Sequence, residues 1–114
     1  MKGQGGDDVL SGGGGRDRLL GGPGDDVLTG GAKADVFVFR SGWGADAVTD
    51  FAASGRGRDL LDLRGVDVIR GWRDLRAAHL TVDGDDIVID AGSGDVATLL
   101  NVAREDLDRT DFLF

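Results

Sequence analysis

The sequence predicts an all-β fold: a parallel β-roll (β-helix) of nine-residue repeats, followed by a C-terminal β-meander cap with one short helix. Three observations predict it. Between Gly3 and Val38 four consecutive nine-residue units share one pattern, with glycine clustered in the first half and one large apolar residue at a fixed interval. Downstream, apolar runs separated by Gly/Asp turns read as strands joined by hairpins. The stretch from Trp72 to His79 has helix-forming residues and one apolar side. The roll is assigned to residues 1–51 and the capping region to 52–114.

The units are Gly3-Gln-Gly-Gly-Asp-Asp-Val-Leu-Ser11, Gly12-Gly-Gly-Gly-Arg-Asp-Arg-Leu-Leu20, Gly21-Gly-Pro-Gly-Asp-Asp-Val-Leu-Thr29 and Gly30-Gly-Ala-Lys-Ala-Asp-Val-Phe-Val38. Each follows G-G-x-G-x-D-x-U-x, with U large and apolar. The first six residues make a turn and the last three a strand. Glycine at the first, second and fourth positions permits positive φ, and it leaves several carbonyl oxygens unscreened by side chains. In the strands Leu10, Leu19, Leu28 and Phe37 point inward, and by two-residue alternation Val9, Arg18, Val27 and Val36 point outward. A flexible glycine linker has no reason to repeat a large apolar residue at this interval. A dinucleotide-binding loop does not fit, because no long strand precedes the glycines and no helical pattern follows within a βαβ unit.

The sixth position of every unit is aspartate: Asp8, Asp17, Asp26 and Asp35. Two units complete one coil, so alternate units stack at about 4.8 Å, which brings Asp8 to Asp26 and Asp17 to Asp35. Carboxylates that close repel each other unless a cation lies between them. Carboxylates together with turn carbonyls suit a hard cation taking roughly six to eight oxygens, which selects calcium over magnesium or zinc. With no Cys and a single His, a soft-metal site is excluded. Several calcium ions are expected, and without them this region is not expected to fold. Gln4 departs from the pattern at the second position and Lys33 at the fourth. Lys33 is the more serious departure, and it marks the Asp17–Asp35 site as the weaker one.

The chain has 114 residues, enough for one domain or a roll with a cap. Its 21 acidic and 13 basic residues give a net charge of −8, which argues against nucleic acid or an anionic membrane as partner. No apolar run approaches the roughly 20 residues of a membrane span, so no membrane insertion is expected. Absence of Cys excludes a disulfide scaffold. Met1-Lys2 runs straight into the repeats without a signal peptide. The abrupt beginning reads as a piece of a larger protein, with a passenger domain upstream.

Past Val38 the pattern loosens. Ser41 to Thr49 is a degenerate fifth unit with Asp46 as a ligand candidate and Val48 inward, and Ser54 to Leu61 is a poorer sixth with Asp59 and Leu61 in those roles. For Asp46, Asp50, Asp59 and Asp62 ordinary turn and capping chemistry is the competing reading. Leu60 to Leu63 and Val66 to Ile69 read as short strands, and Trp72 to His79 as a helix burying Trp72, Leu75 and Ala78 or His79. Leu80–Val82 and Ile87–Ile89 flank Asp83-Gly-Asp-Asp86 as a hairpin, with a third strand from Val96 to Val102. The Asp83 cluster lacks the acidic spacing and closing Glu of an EF-hand. His79 is the single His and has no Cys to partner it, no Ser-His-Asp set can be assembled, and H-E-x-x-H is absent, so no enzymatic activity is expected. The tail, residues 103–114, ends in Asp111-Phe-Leu-Phe114, with Phe112 and Phe114 packing on a sheet.

The nonapeptides, the stretch Ala34-Asp-Val-Phe-Val-Phe39, the phrases Val48-Thr-Asp-Phe51 and Asp59-Leu-Leu-Asp-Leu63, and the terminus together resemble the C-terminal domains of RTX (repeats-in-toxin) exoproteins. Serralysin-type proteases and the R-modules of mannuronan epimerases have domains of this kind. The resemblance covers nearly the whole chain. It implies calcium between stacked turns, held by Asp8, Asp17, Asp26 and Asp35 with carbonyls from Gly3, Gly6, Gly12, Gly15, Gly21, Gly24 and Gly30. It implies that Asp111 to Phe114 belong to a signal read by the type I secretion machinery of Gram-negative bacteria, and hence an extracellular, secreted protein that folds on meeting calcium. The alternative is a module binding an acidic, alginate-like polysaccharide through Arg16, Arg18, Lys33, Arg40, Arg56 and Arg58. An exposed strand edge at the first coil also raises an end-to-end homodimer.

Overall fold

The structure, a computed structural model, describes residues 6–31, 33–52, 58–92, 94–107 and 109–114. Among them the chain is mostly strand. The first four strands, β1 (Val9–Ser11), β2 (Arg18–Leu20), β3 (Val27–Thr29) and β4 (Val36–Arg40), begin at the seventh position of successive units. Then come β5 (Ala45–Val48) and β6 (Leu60–Gly65), a short helix α1 (Trp72–Asp74) running into a π-helical turn (Leu75–His79), β7 (Leu80–Asp83), β8 (Asp86–Gly92), β9 (Asp95–Leu99) and β10 (Phe112–Leu113). Parallel pairing dominates, consistent with a β-roll.

The strands form two sheets, one in the order β1-β3-β5-β9-β8-β7 and the other β10-β6-β4-β2, and β1 to β6 alternate between them. The register explains the alternation. Leu10 pairs with Leu28, Leu28 with Val48 and Val48 with Leu99, while Leu19 pairs with Phe37, Phe37 with Leu61 and Leu61 with Phe112. These two inward columns face each other and make one core: Leu19, Leu28, Phe37, Val48, Leu61 and Leu99 have no exposed surface. Leu10, on the outermost rung, is only half-buried, and Val9 beside it is 77% exposed. Residues on both sides of position 52 share both sheets and this core.

Downstream, β7 and β8 form the expected hairpin, with Asp83 opposite Asp86 and Gly84 at φ +62° in the turn. β8 pairs antiparallel with β9, and β9 lies parallel to β5, where a further coil strand would lie. Three expectations need correction. Val66–Ile69 is a turn closed by a hydrogen bond from the Ile69 amide to the Val66 carbonyl at 3.2 Å, because Val66 and Ile69 bury together while Val68 is exposed. The helical stretch covers Trp72–His79 with Leu75 buried, but its π turn breaks the 3.6-residue spacing, so that of the two alternatives Ala78 is exposed and His79 is the partly buried one. The third meander strand stops at Leu99, because Asn101 turns the chain at φ +58°.

Candidate metal centre

The strand register sets the sixth-position aspartates directly above one another. In the first column the Asp8 amide donates to Asp26 Oδ1 at 2.8 Å and the Asp26 amide to Asp46 Oδ1 at 2.9 Å. In the second the Asp17 amide donates to Asp35 Oδ1 and the Asp35 amide to Asp59 Oδ1, both at 2.8 Å. Asp26, Asp46, Asp35 and Asp59 are therefore each anchored through Oδ1 by the backbone of the coil before. The other oxygen is the informative one. Oδ2 of Asp8, Asp17, Asp26 and Asp35 is buried, with no hydrogen-bond partner among the described residues. A buried anionic oxygen without a donor costs several kcal/mol unless a positive charge meets it.

The first-position glycines shape the space around these oxygens. A Cβ on Gly12, Gly21 or Gly30 would stand 2.6, 2.4 and 2.4 Å from Oδ2 of Asp17, Asp26 and Asp35 respectively. These glycines do not take positive φ; they are needed because the carboxylate of their own unit occupies the place of a side chain. Positive φ falls instead at the second position (Gly13, Gly22, Gly31, Gly42) and at the fourth (Gly6, Gly24, Gly44 and Lys33). There the turns nearly touch: a Cβ on Gly24 would lie 2.2 Å from the Gly6 carbonyl oxygen, one on Gly44 2.4 Å from that of Gly24, and one on Gly31 2.2 Å from that of Gly13. A Cβ on Gly12 would also lie 2.7 Å from the Gly30 carbonyl oxygen. Carbonyl oxygens are thus packed along both edges of the roll beside the aspartate columns.

Of the expected ligands, Asp8, Asp26 and Asp46 come together in one column, and Asp17 and Asp35 in the other. Gly6, Gly12, Gly21, Gly24 and Gly30 lie in the turns beside them. Gly3 lies outside the described residues. Gly15 takes ordinary φ with nothing near its Cβ position, so the positive-φ role expected of it is not realised. Asp59 joins the second column, but its Oδ2 accepts the Ala52 amide at 2.9 Å. Asp50 caps a turn, its two oxygens accepting the Gly30 and Gly31 amides at 2.9 and 2.8 Å. Sequence reasoning missed Asp7 and Asp25. Asp7 Oδ1 accepts the Asp25 amide and Asp25 Oδ1 the Ala45 amide, both at 2.9 Å. The signal was available: the Asp-Asp doublet occurs in units one and three, which stack. Asp95 does for Gly42 and Gly44 what Asp50 does for Gly30 and Gly31.

Among the described residues no three Asp, Glu, His or Cys side chains cluster as a metal centre by themselves. A cation here has to be completed by carbonyl oxygens, an all-oxygen donor set that fits calcium. Lys33 holds a glycine conformation at φ +67°, which costs an L-residue about 1–2 kcal/mol. Lys33→Gly is therefore expected to stabilise the folded state by about 1 kcal/mol, read as a higher urea midpoint in saturating calcium.

Burial raises the carboxyls of Asp35 and Asp59, and pushes Asp46 up to about 7 from 3.8, with the charges of Asp26 and Asp25 adding to the effect. A carboxyl whose folded value is raised binds more protons folded than unfolded, so its contribution is present at low pH and lost as pH rises through the folded value. Without calcium, β structure is therefore expected to increase as pH falls from about 7.5 to about 5, measured by circular dichroism in chelator. Asp62 has the opposite sign. Hydrogen bonds from Arg64 lower it, so its contribution disappears only in stronger acid.

Comparison with known proteins agrees with this geometry. Residues 2–37 match the family model of the RTX calcium-binding nonapeptide repeat, which holds four copies. No curated protein sequence matches the chain. Among solved structures, the extracellular lipase LipA from Serratia marcescens is similar over 96% of this chain, at 29% identity and a TM-score of 0.72. The match spans 20% of the LipA chain. The repeats in register, with aspartate oxygens gathered beside the turn carbonyls, fit that model: residues 2–37 carry RTX calcium-binding nonapeptide repeats.

Proposed function

We propose that the chain is a calcium-triggered folding module, without enzymatic activity of its own, that belongs to a larger protein exported by type I secretion. The observation that carries this reading is the set of four buried Asp Oδ2 atoms with no hydrogen-bond partner among the described residues. In this reading the nonapeptides are the coils of the β-roll, and β7 to β10 with the short helix cap its C-terminal end. Bound calcium supplies the positive charge that the columns lack. The chain's own contribution is to hold the carboxylates in register through the amides of Asp8, Asp17, Asp26 and Asp35.

Where calcium is scarce, carboxylate repulsion and glycine entropy keep the chain extended and able to thread an exporter. Outside, sites of the extracellular class, with Kd on the order of 0.1–1 mM, fill at millimolar calcium. At a tenfold excess over Kd each occupied site adds about 1.4 kcal/mol to the folded state. The tail from about 103 to 114 carries the export signal in this reading, and the 20% span of LipA is in keeping with an upstream passenger. The open edges of β1 and β2 lie at the same end, where a second copy would pair. No helix among the described residues is long and apolar enough to cross a membrane.

The acidic-polysaccharide reading has less support. Arg18 pairs with Asp62 at 3.6 Å and Arg58 with Asp111 at 3.0 Å, while Arg56 lies outside the described residues. The deciding experiment is a calcium titration of the chelated protein followed by far-UV circular dichroism, with magnesium as control. A cooperative transition to β structure near millimolar calcium, absent with magnesium, is expected. Complete β structure in chelator would overturn the reading.

A further inference from the structure

Away from the aspartate columns, the turn of unit three, the turn before β5 and the ends of β2 and β4 enclose an open cleft of about 200 Å³. Its walls are largely apolar, with Leu20 and Val38 from the outer face of the four-stranded sheet, Pro23 from one turn and Trp43 from the other. Trp43 is fixed: its indole nitrogen donates to the Val96 carbonyl at 3.0 Å and its ring packs edge-on against Phe39 at 5.2 Å. Among the described residues the polar side chains lining the cleft are Arg40 and Ser41. Arg40 is exposed, and among the described residues no carboxylate pairs with it, although the chain carries a net charge of −8. The neighbouring arginines differ, since Arg64 and Arg18 both reach Asp62.

We propose that this cleft binds an amphipathic carboxylate, a straight-chain fatty acid of roughly eight carbons, with the chain against Leu20, Pro23, Val38 and Trp43 and the carboxylate on Arg40. The chemistry argues for this ligand class over others. A sugar needs several hydrogen-bonding side chains around its hydroxyls, and this lining offers one hydroxyl. A purely apolar ligand leaves the lone guanidinium without a partner, whereas a carboxylate supplies a charge-assisted pair. The length follows from volume: at about 30 Å³ for a water-sized group, 200 Å³ holds roughly seven such groups. The site does not use the aspartate columns, so it stands or falls separately from the calcium reading.

The test is titration of the calcium-folded, full chain with octanoate, followed by the Trp43 indole and Val38 methyl NMR signals. Saturable shifts confined to the cleft are expected. Shortening the acid should weaken binding by about fourfold per methylene removed. Arg40→Gln, at an exposed position, is expected to weaken octanoate about tenfold while leaving the calcium-induced circular dichroism unchanged. Octanol binding as well as octanoate, or an undiminished affinity in Arg40→Gln, would overturn the assignment. So would a uronate oligosaccharide that shifts these signals where octanoate does not.

Discussion

Asp26→Asn is expected to raise the calcium concentration needed for folding by at least about tenfold, equivalent to about 1.4 kcal/mol, while leaving the chelated chain no less structured. The two halves of this result have one cause. Asp26 is 1% exposed, accepts the Asp8 amide through Oδ1, and turns Oδ2 into the space above Gly21. Asparagine keeps the acceptor, so the backbone ladder survives. It replaces the orphaned oxygen with an N–H donor, which repels a cation and removes a buried negative charge. In calcium that is a loss; in chelator it is relief. The control is Asp62→Asn. Asp62 is also buried, at 3% exposure, but both its oxygens meet Arg64 at 3.0 and 2.8 Å. That substitution is expected to lower stability whether or not calcium is present, because it strands an arginine instead of freeing a column. A calcium midpoint for Asp26→Asn equal to the parent's would sink the assignment of Asp26 as a ligand.

The columns were legible because a repeat writes the same information several times. The nine-residue period sets which units stack, and the alternation within three strand residues sets which one is inward; Leu19, Leu28 and Phe37 obey both. What the period does not contain is the path of a side chain. That the first-position glycines make room for Asp Oδ2 depends on the aspartate rotamer, which the amide of the preceding coil fixes. Long-range caps were equally invisible. Asp95 belongs to a hairpin strand by its local sequence, yet its carboxylate holds the turn amides of Gly42 and Gly44. Asp111 reads locally as part of an acidic tail, but it has no exposed surface and pairs with Arg58, while Phe112 extends the sheet beside β6 and stacks on Trp72 at 5.5 Å. In each case the partner lies forty or more residues away, beyond any window in which periodicity can operate.

The sharpest separation of backbone conformation from stacking comes from two glycines at the same position of the repeat. Gly6 and Gly24 take φ of +99° and +107°, so alanine at either one meets the same left-handed penalty of about 1–2 kcal/mol. Their surroundings differ. Among the described residues nothing lies within 4 Å of a Cβ on Gly6, whereas one on Gly24 would stand 2.2 Å from the Gly6 carbonyl oxygen and 2.6 Å from its carbon. Those atoms are backbone and cannot swing aside; relief requires the two coils to part, which also draws Asp8 away from Asp26. Gly24→Ala is therefore expected to abolish the calcium-induced transition at every calcium concentration. Gly6→Ala is expected to fold, with its calcium midpoint raised about tenfold. Calcium titrations of the two variants side by side decide the matter. If both fail alike, the left-handed turn alone demands glycine; if Gly24→Ala fails alone, glycine is needed so that one coil can lie on the next.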